Sequence, residues 1–440
     1  MIFFLVLVMI VILLCLNLIT KDILRPSIGV CAVFTASIVC AFSNSVIWKY
    51  SMSVLCATVI FCGVLLYTIT DLIVSNRRRV VNDTNDLKIN RINISTLFYV
   101  ISIFFMSVSS ILYYRDIIYI ASKYGALGAW STMIRFYRNG TMTGDLDIGI
   151  SSLASNSYII STALAYIYLY VFIHNLILNK KDKINFIYLV PVVIFLINTL
   201  FTGGRMPMLR LIIGGIFLFY FLSYKINGRK SFNSKNFLKL VFIMILTLYG
   251  FATISTLVGR NYDGNPIYYI TSYMGGSVPL LDLFLQDPVH HNIWGYETFP
   301  SILSFLGRRF DIDAFKSILV NKEFRSMNFY SIGNVYTAFR AYISDFGFLG
   351  MGILTIIHST FYSYFYNKIN RKIIRFGRID LSLLVYMYFV HAIYLFSIDD
   401  RFYMDLCSIN TIKMIIIFAV LCKFLTCRID IQHGKIRICE

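Results

Sequence analysis

A chain in which apolar stretches of about 20 residues recur from end to end has few folding options, because each stretch can cross the roughly 30 Å hydrocarbon core of a bilayer as a helix. Such runs lie near 2–19, 27–47, 51–73, 94–114, 158–178, 184–200, 208–224, 237–258, 346–366, 381–398 and 408–426. Of the 440 residues, 58% are hydrophobic and 14% charged, and the mean hydropathy is +0.71, a composition that excludes a soluble domain. The chain reads as an all-α polytopic membrane protein with about eleven transmembrane helices, forming one integral-membrane domain over 1–440.

Basic residues set the expected orientation. The formal net charge of +18 is spread over short clusters between apolar runs, which is the positive-inside pattern and not a nucleic-acid-binding face. Segments 20–26, 75–93, 179–183, 225–236, 367–380 and 427–440 hold 22 Lys and Arg, whereas the short opposing turns hold only Lys49, Arg205 and Arg401. The N-terminus is therefore expected outside and the C-terminus inside. The first run has no preceding charge and no small-residue cleavage site, and Lys21 and Arg25 follow it, so it reads as a retained helix and not a signal peptide. Two long segments, 115–157 and 259–345, fall on the outside. The 14 aromatics in 259–333 argue for short helices on or dipping into the outer face, not a disordered linker. The nine cysteines lie mostly in apolar runs and form no CxxC, so neither a disulfide framework nor a metal site is indicated, and no cofactor is expected.

Chemistry concentrates at the outer face. Arg205 stands in the turn Thr202-Gly203-Gly204-Arg205-Met206-Pro207, and a charge at a membrane edge is costly unless it has a task. If Pro207 opens the following helix, that helix presents free N–H groups and its positive dipole end beside Arg205, with Arg210 one turn further in. Two arginines and a helix N-terminus make a cradle for phosphate or pyrophosphate. The plainer reading has both arginines snorkelling to lipid headgroups around a tight glycine turn. Over 334–345, Asn334, Thr337, Ala341 and Asp345 share one helical face and Tyr336 and Arg340 another. Asp345 can act there as a base for an acceptor hydroxyl, with Arg340 assisting an anion, or it can cap the membrane helix that follows. The large outer segment adds Arg260, Asp263, Asp282, His290, His291, Glu297, Arg308, Arg309 and Arg325 among aromatic rings that suit a sugar or an interfacial belt.

These pieces, in this order, resemble the Wzy-type oligosaccharide repeat unit polymerases, also called O-antigen or capsular polysaccharide polymerases. The matching residues are Thr202 to Pro207, Tyr273 to Asp282 (Tyr-Met-Gly-Gly-Ser-Val-Pro-Leu-Leu-Asp), Gly295 to Pro300, Asn334 to Thr337, and Asp345-Phe346-Gly347. The family usually has Ser where Gly204 stands, a change that a turn tolerates. The resemblance implies glycosyl transfer at the outer face of the bacterial inner membrane, from an undecaprenyl-pyrophosphate-linked glycan onto the next lipid-linked repeat unit. It also implies membrane lipid, a chain-length regulator and a repeat-unit flippase as partners. An O-antigen ligase shares the donor but uses a lipid A core acceptor. A metal-dependent lipid-phosphate glycosyltransferase would want acids in the first outer turn, which here is Trp48-Lys49-Tyr50. A transporter or flippase would carry polar residues along the middle of several helices.

The charge bias makes orientation measurable. Reporter fusions after Asn82 and Asn233 should report the cytoplasm and fusions after Gly140 and Asn292 the outside; a cytoplasmic signal at 292 would reverse the assignment.

Overall fold

The computed structural model describes residues 1–75, 90–144, 146, 148–178, 186–227, 250, 266–316, 318, 321–374, 377–426, 428–432 and 435–439. The run expected at 237–258 lies outside them but for Gly250, and Arg260 and Asp263 lie outside them altogether. The described chain is almost wholly helical. Seven of its helices are long and apolar enough to cross a membrane.

The first three runs fold as read: α1 (Ile2–Thr20), α2 (Pro26–Trp48) and α3 (Val54–Val74). Local chemistry sets their ends. Pro26 opens α2, Ser53 caps α3 by accepting from Cys56 N, and Lys21 and Lys49 close α1 and α2 in the left-handed conformation. The fourth helix, α4 (Thr96–Lys123), continues a further two turns past the expected 114. There the amphipathic α5 (Trp130–Thr143) packs back on it, burying Met133 and Ile134 against Ile117 and Ala121 in a small separate core. Next come α6 (Ser152–Leu178), α7 (Leu189–Phe201) and α8 (Met206–Asn227). Alternating burial along these helices leaves large apolar side chains such as Phe4, Leu18, Leu97 and Phe104 on the outer surface, as expected of a lipid-facing bundle.

Residues 266–345 are more than a surface cap. Helices α9 (Pro266–Gly275) and α10 (Ser277–Gln286) pack along α2 and α3, and Val278, Leu280 and Leu281 are fully buried. Gly275 explains the close approach, because a Cβ there would stand 2.5 Å from Ala41 N. Beyond them lie α11 (Pro300–Phe310), α12 (Asp313–Lys316) and a hairpin of β1 (Arg325–Met327) and β2 (Tyr330–Gly333), turned through Asn328 and Phe329 at φ 47° and 67°.

The expected span at 346–366 differs most. Helix α13 (Ala338–Arg371) begins eight residues earlier and bends at Gly347, whose φ of 67° and ψ of −170° are non-helical. Thr337 is the N-cap of the part before the bend, and the hydrogen bonds of Ser344 and Asp345 run to Val289, Glu297 and Thr298 on another segment. The run at 381–398 is likewise broken into α14 (Leu381–Phe389) and α15 (His391–Tyr394), followed by a π-helical turn at Phe402–Leu406 and α16 (Ile409–Thr426). A last hairpin, β3 (Arg428–Gln432) and β4 (Lys435–Cys439), follows. The segments 49–53, 202–205, 287–316, 321–337 and 395–408 gather at one end of the bundle, hereafter the cap end, tied by Ser53–Asp282, Asn328–Trp48, Arg205–Tyr269 and Lys322–Asp399 bonds.

The helix contact at Gly275 yields a stability test. Gly275→Ala forces backbone apart and should cost about 1–3 kcal/mol, lowering the thermal midpoint of the detergent-purified protein. Gly149→Ala, where a Cβ would meet nothing within 4 Å, should leave it unchanged.

Candidate functional site

The turn at 202–205 forms as its residues dictate. Thr202 closes α7 and its Oγ1 accepts from Gly204 N at 3.2 Å. Gly203 takes a φ of 64° and lies under α5, where a Cβ would stand 2.9 Å from Arg138 Cδ. A Cβ at Gly204 would meet only Thr202 Oγ1, at 3.4 Å, so a small side chain fits there. The carbonyl of Arg205 accepts from Leu209 N, so Arg205 sits at the start of α8 with Pro207 in its first turn. Its guanidinium donates to Tyr269 Oη at 2.6 Å and lies 5.6 and 5.9 Å from the Tyr269 and Tyr273 ring centres. An arginine held by aromatic faces keeps its charge while losing water.

One turn along α8, Arg210 pairs with Asp405 of the π-helical turn. Asp405 also accepts from Arg401 at 3.2 Å; Arg401 donates to Asp399 at 2.6 Å, and Asp399 accepts from Lys322 at 3.2 Å. Arg401 lies within electrostatic reach of Tyr273, which joins this chain of charges to Arg205. Arg210 Nε and Arg401 Nε are buried without a partner, so each guanidinium retains an unused N–H.

A second cationic centre lies at the entry to α13. Arg340 is fully buried, 4.0 Å from the Tyr336 ring centre and 5.0 Å from that of Phe284. It donates to Glu297 at 2.9 Å and to Glu323 at 2.5 Å, while its Nε and Nη1 lack partners. Tyr336 and Arg340 thus meet, but not as two positions of one helical face: residues 334–337 precede the helix, which begins at Ala338. Glu323 also accepts from Tyr336 Oη at 2.9 Å and from Arg325 at 3.0 Å. Burial pushes Glu297 upward, but the His291 hydrogen bond and the charges of Lys322 and Arg340 outweigh it and hold the carboxyl below its usual range. His291 Nε2 stands 3.4 Å from Glu297 Oε1 and stacks on Tyr296 at 4.0 Å; His290 is exposed.

Other expected site residues have structural partners. Asp345 accepts from Glu297 N and Thr298 N, at 2.7 Å for the latter, and so fixes the approach to α11. Asp282 accepts from Tyr50 Oη, Ser53 N, Ser53 Oγ and Gln286, which ties α10 to the start of α3. Arg325 donates to the carbonyls of Leu283 and Asp287 at the end of α10. Asn334 precedes α13 and is half-buried; Thr337 caps it by position, with a buried Oγ1 that has no partner. Arg308 and Arg309 lie in the last turn of α11. The acidic partners Asp399, Asp405 and Glu323 had no place in the reading of the sequence. Three aspartates and an arginine within Asp399–Asp405, in a chain with 22 acids, are the signal that marks them.

Asp400 is fully buried. Its Oδ1 accepts from Tyr342 Oη, Phe402 N and Tyr403 N while Oδ2 has no partner. Burial pushes its carboxyl up to about 7. A raised acid stabilises the fold below the unfolded value near 3.8 and loses that contribution as pH rises toward 7. Asp400→Asn should therefore gain thermal stability relative to the parent between pH 4 and pH 7; a constant difference would contradict the burial. No family model, curated protein or solved structure matches the chain, so the site is read from its own residues.

Proposed function

We propose that the chain polymerises undecaprenyl-pyrophosphate-linked oligosaccharide repeat units on the outer face of the bacterial inner membrane, forming O-antigen or capsular polysaccharide. The observation that carries this reading is the cluster of Arg205, Arg210 and Arg401 around one helix start, with two buried guanidinium N–H groups unused. Such a cluster suits a diphosphate at headgroup depth.

In the reaction the acceptor hydroxyl oxygen bonds to the anomeric carbon of the donor sugar. The bond from that carbon to the pyrophosphate oxygen breaks, and its electron pair leaves with the pyrophosphate, where the arginines offset the growing charge. The hydroxyl proton needs a base. His291 fits this role better than Asp345, because Glu297 orients its ring and the side chain is partly open to solvent, whereas both oxygens of Asp345 accept backbone N–H groups.

Arg205→Ala and Arg401→Ala should each leave folded protein in the membrane and reduce surface glycan to capped single repeats on gel electrophoresis, and His291→Ala should do the same. Long chains of normal distribution in a well-expressed Arg205→Ala strain would refute the assignment. A strain lacking the protein should show capped single repeats; accumulated long chains with no surface glycan would instead indicate a ligase.

A further inference from the structure

Helices α11 and α12 form a small amphipathic unit that the proposed transfer does not use. On α11, Ile302, Phe305, Leu306, Arg309 and Phe310 recur three and four residues apart and so share one face. Ile302, Phe305 and Phe310 are exposed there and Leu306 is half-buried. The opposite face is packed. Pro300 and Gly307 are buried, and a Cβ at Gly307 would stand 2.7 Å from the Phe315 carbonyl carbon, so α12 lies directly against it. On that side Asp311 and Asp313 are exposed and pair with Lys316. The unit is thus charged on one side and apolar on the other.

Its level in the bundle is fixed by bonds at its start. Asp345 accepts from Glu297 N and Thr298 N, the Phe299 ring lies 6.2 Å from that of Phe346, and Ser301 Oγ donates to the Met404 carbonyl at 2.6 Å. Next to Met404, Tyr403 Oη donates to the Leu354 carbonyl at 2.9 Å. Helix α11 therefore leaves the bundle beside the bend of α13 at Gly347.

That bend marks where lipid contact begins on α13. From Gly347 to Arg371 the helix runs about 24 residues, or roughly 36 Å, enough to cross the hydrocarbon core. Directly after the bend Phe348, Leu349 and Ile353 are exposed, Leu349 at 80%. The apolar face of α11 continues this lipid-facing surface at its upper edge, where hydrocarbon gives way to headgroups. Arg308 and Arg309, in the last turn of α11, are exposed and make no hydrogen bond or ion pair with any described residue. Arginine stems can lie along apolar surface while the guanidinium reaches phosphate, which suits this depth.

We propose that α11 lies in the headgroup layer of the cap-end leaflet, with Ile302, Phe305, Leu306 and Phe310 among phospholipid acyl chains and Arg308 and Arg309 on phospholipid phosphates. Helix α12 covers its water side. Glu297 and Thr298 immediately precede α11, so this lipid contact holds the Arg340, Glu297 and His291 centre at headgroup depth. The contact is independent of glycosyl transfer.

The test places a photoreactive diazirine amino acid at position 305, 313 or 349 of the full-length protein in nanodiscs of phosphatidylethanolamine and phosphatidylglycerol, and weighs the irradiated protein by mass spectrometry. Position 349 on α13 is the lipid-facing reference and position 313 on α12 the water-facing one. Position 305 should form phospholipid adducts as position 349 does, and position 313 should gain only water. Combining Arg308→Gln and Arg309→Gln should lower the adduct at 305 several-fold and leave that at 349 unchanged. If the protein labelled at 305 is not monodisperse, position 302 on the same face takes its place. Water addition at 305 as at 313, a crosslink from 305 to protein, or a lipid adduct that the double substitution leaves unchanged overturns the proposal.

Discussion

A guanidinium or carboxylate removed from water must find an opposite charge, and at the cap end of this bundle that requirement joins segments far apart in sequence. Arg210 and Asp405 are separated by 195 residues, Lys322 and Asp399 by 77, and Arg340 and Glu297 by 43. Of these only Arg340–Glu297 is buried on both sides, and removing one member of such a pair typically costs about 3–5 kcal/mol, because the partner is left charged and dry; the other two are partly open to solvent and cost less. The cap is therefore held by the same residues that would meet a substrate. The unused N–H groups of Arg210, Arg340 and Arg401 are the part of their bonding capacity that structure does not consume.

Those spare donors explain why packing and chemistry need not conflict here. An arginine carries five donors in a fixed fork, and one or two suffice to anchor it to a carboxylate. The remainder are buried here, and under the proposed function they are the donors that an incoming anion would have to reach. Lysine offers a compact ammonium without that planar fork, and Lys322 spends a donor on Asp399.

Much of the bundle was legible in the sequence because bilayer thickness imposes a length on every spanning run. Helices α1, α2, α3, α6 and α8 fall where the apolar runs lie, and the glycine turn and the start of α8 follow from local rules. The start of α13 was legible only in part: the polar spacing over 334–345 marks a helix, but with no apolar run it does not mark that the helix begins at Ala338 and breaks at Gly347. The partners of the arginines were not legible. Asp405 meets Arg210, and Asp282 meets Ser53 across 229 residues, only through tertiary folding that no local period encodes. Asp345 shows the cost of this: its spacing gave a base or a cap, and its partners turned out to be the backbone of Glu297 and Thr298, on another segment.

The central claim is that the arginine cluster at the cap end supports transfer of a glycan from a lipid pyrophosphate. The most direct measurement places the purified protein in nanodiscs with a chemically defined undecaprenyl-pyrophosphate-linked repeat unit and excess chelator, and follows products by mass spectrometry. The account predicts lipid-linked dimers and longer chains, each new linkage accompanied by one released undecaprenyl pyrophosphate. Unchanged substrate from protein of demonstrated folding, or chains that appear only when a divalent metal is restored, would contradict it.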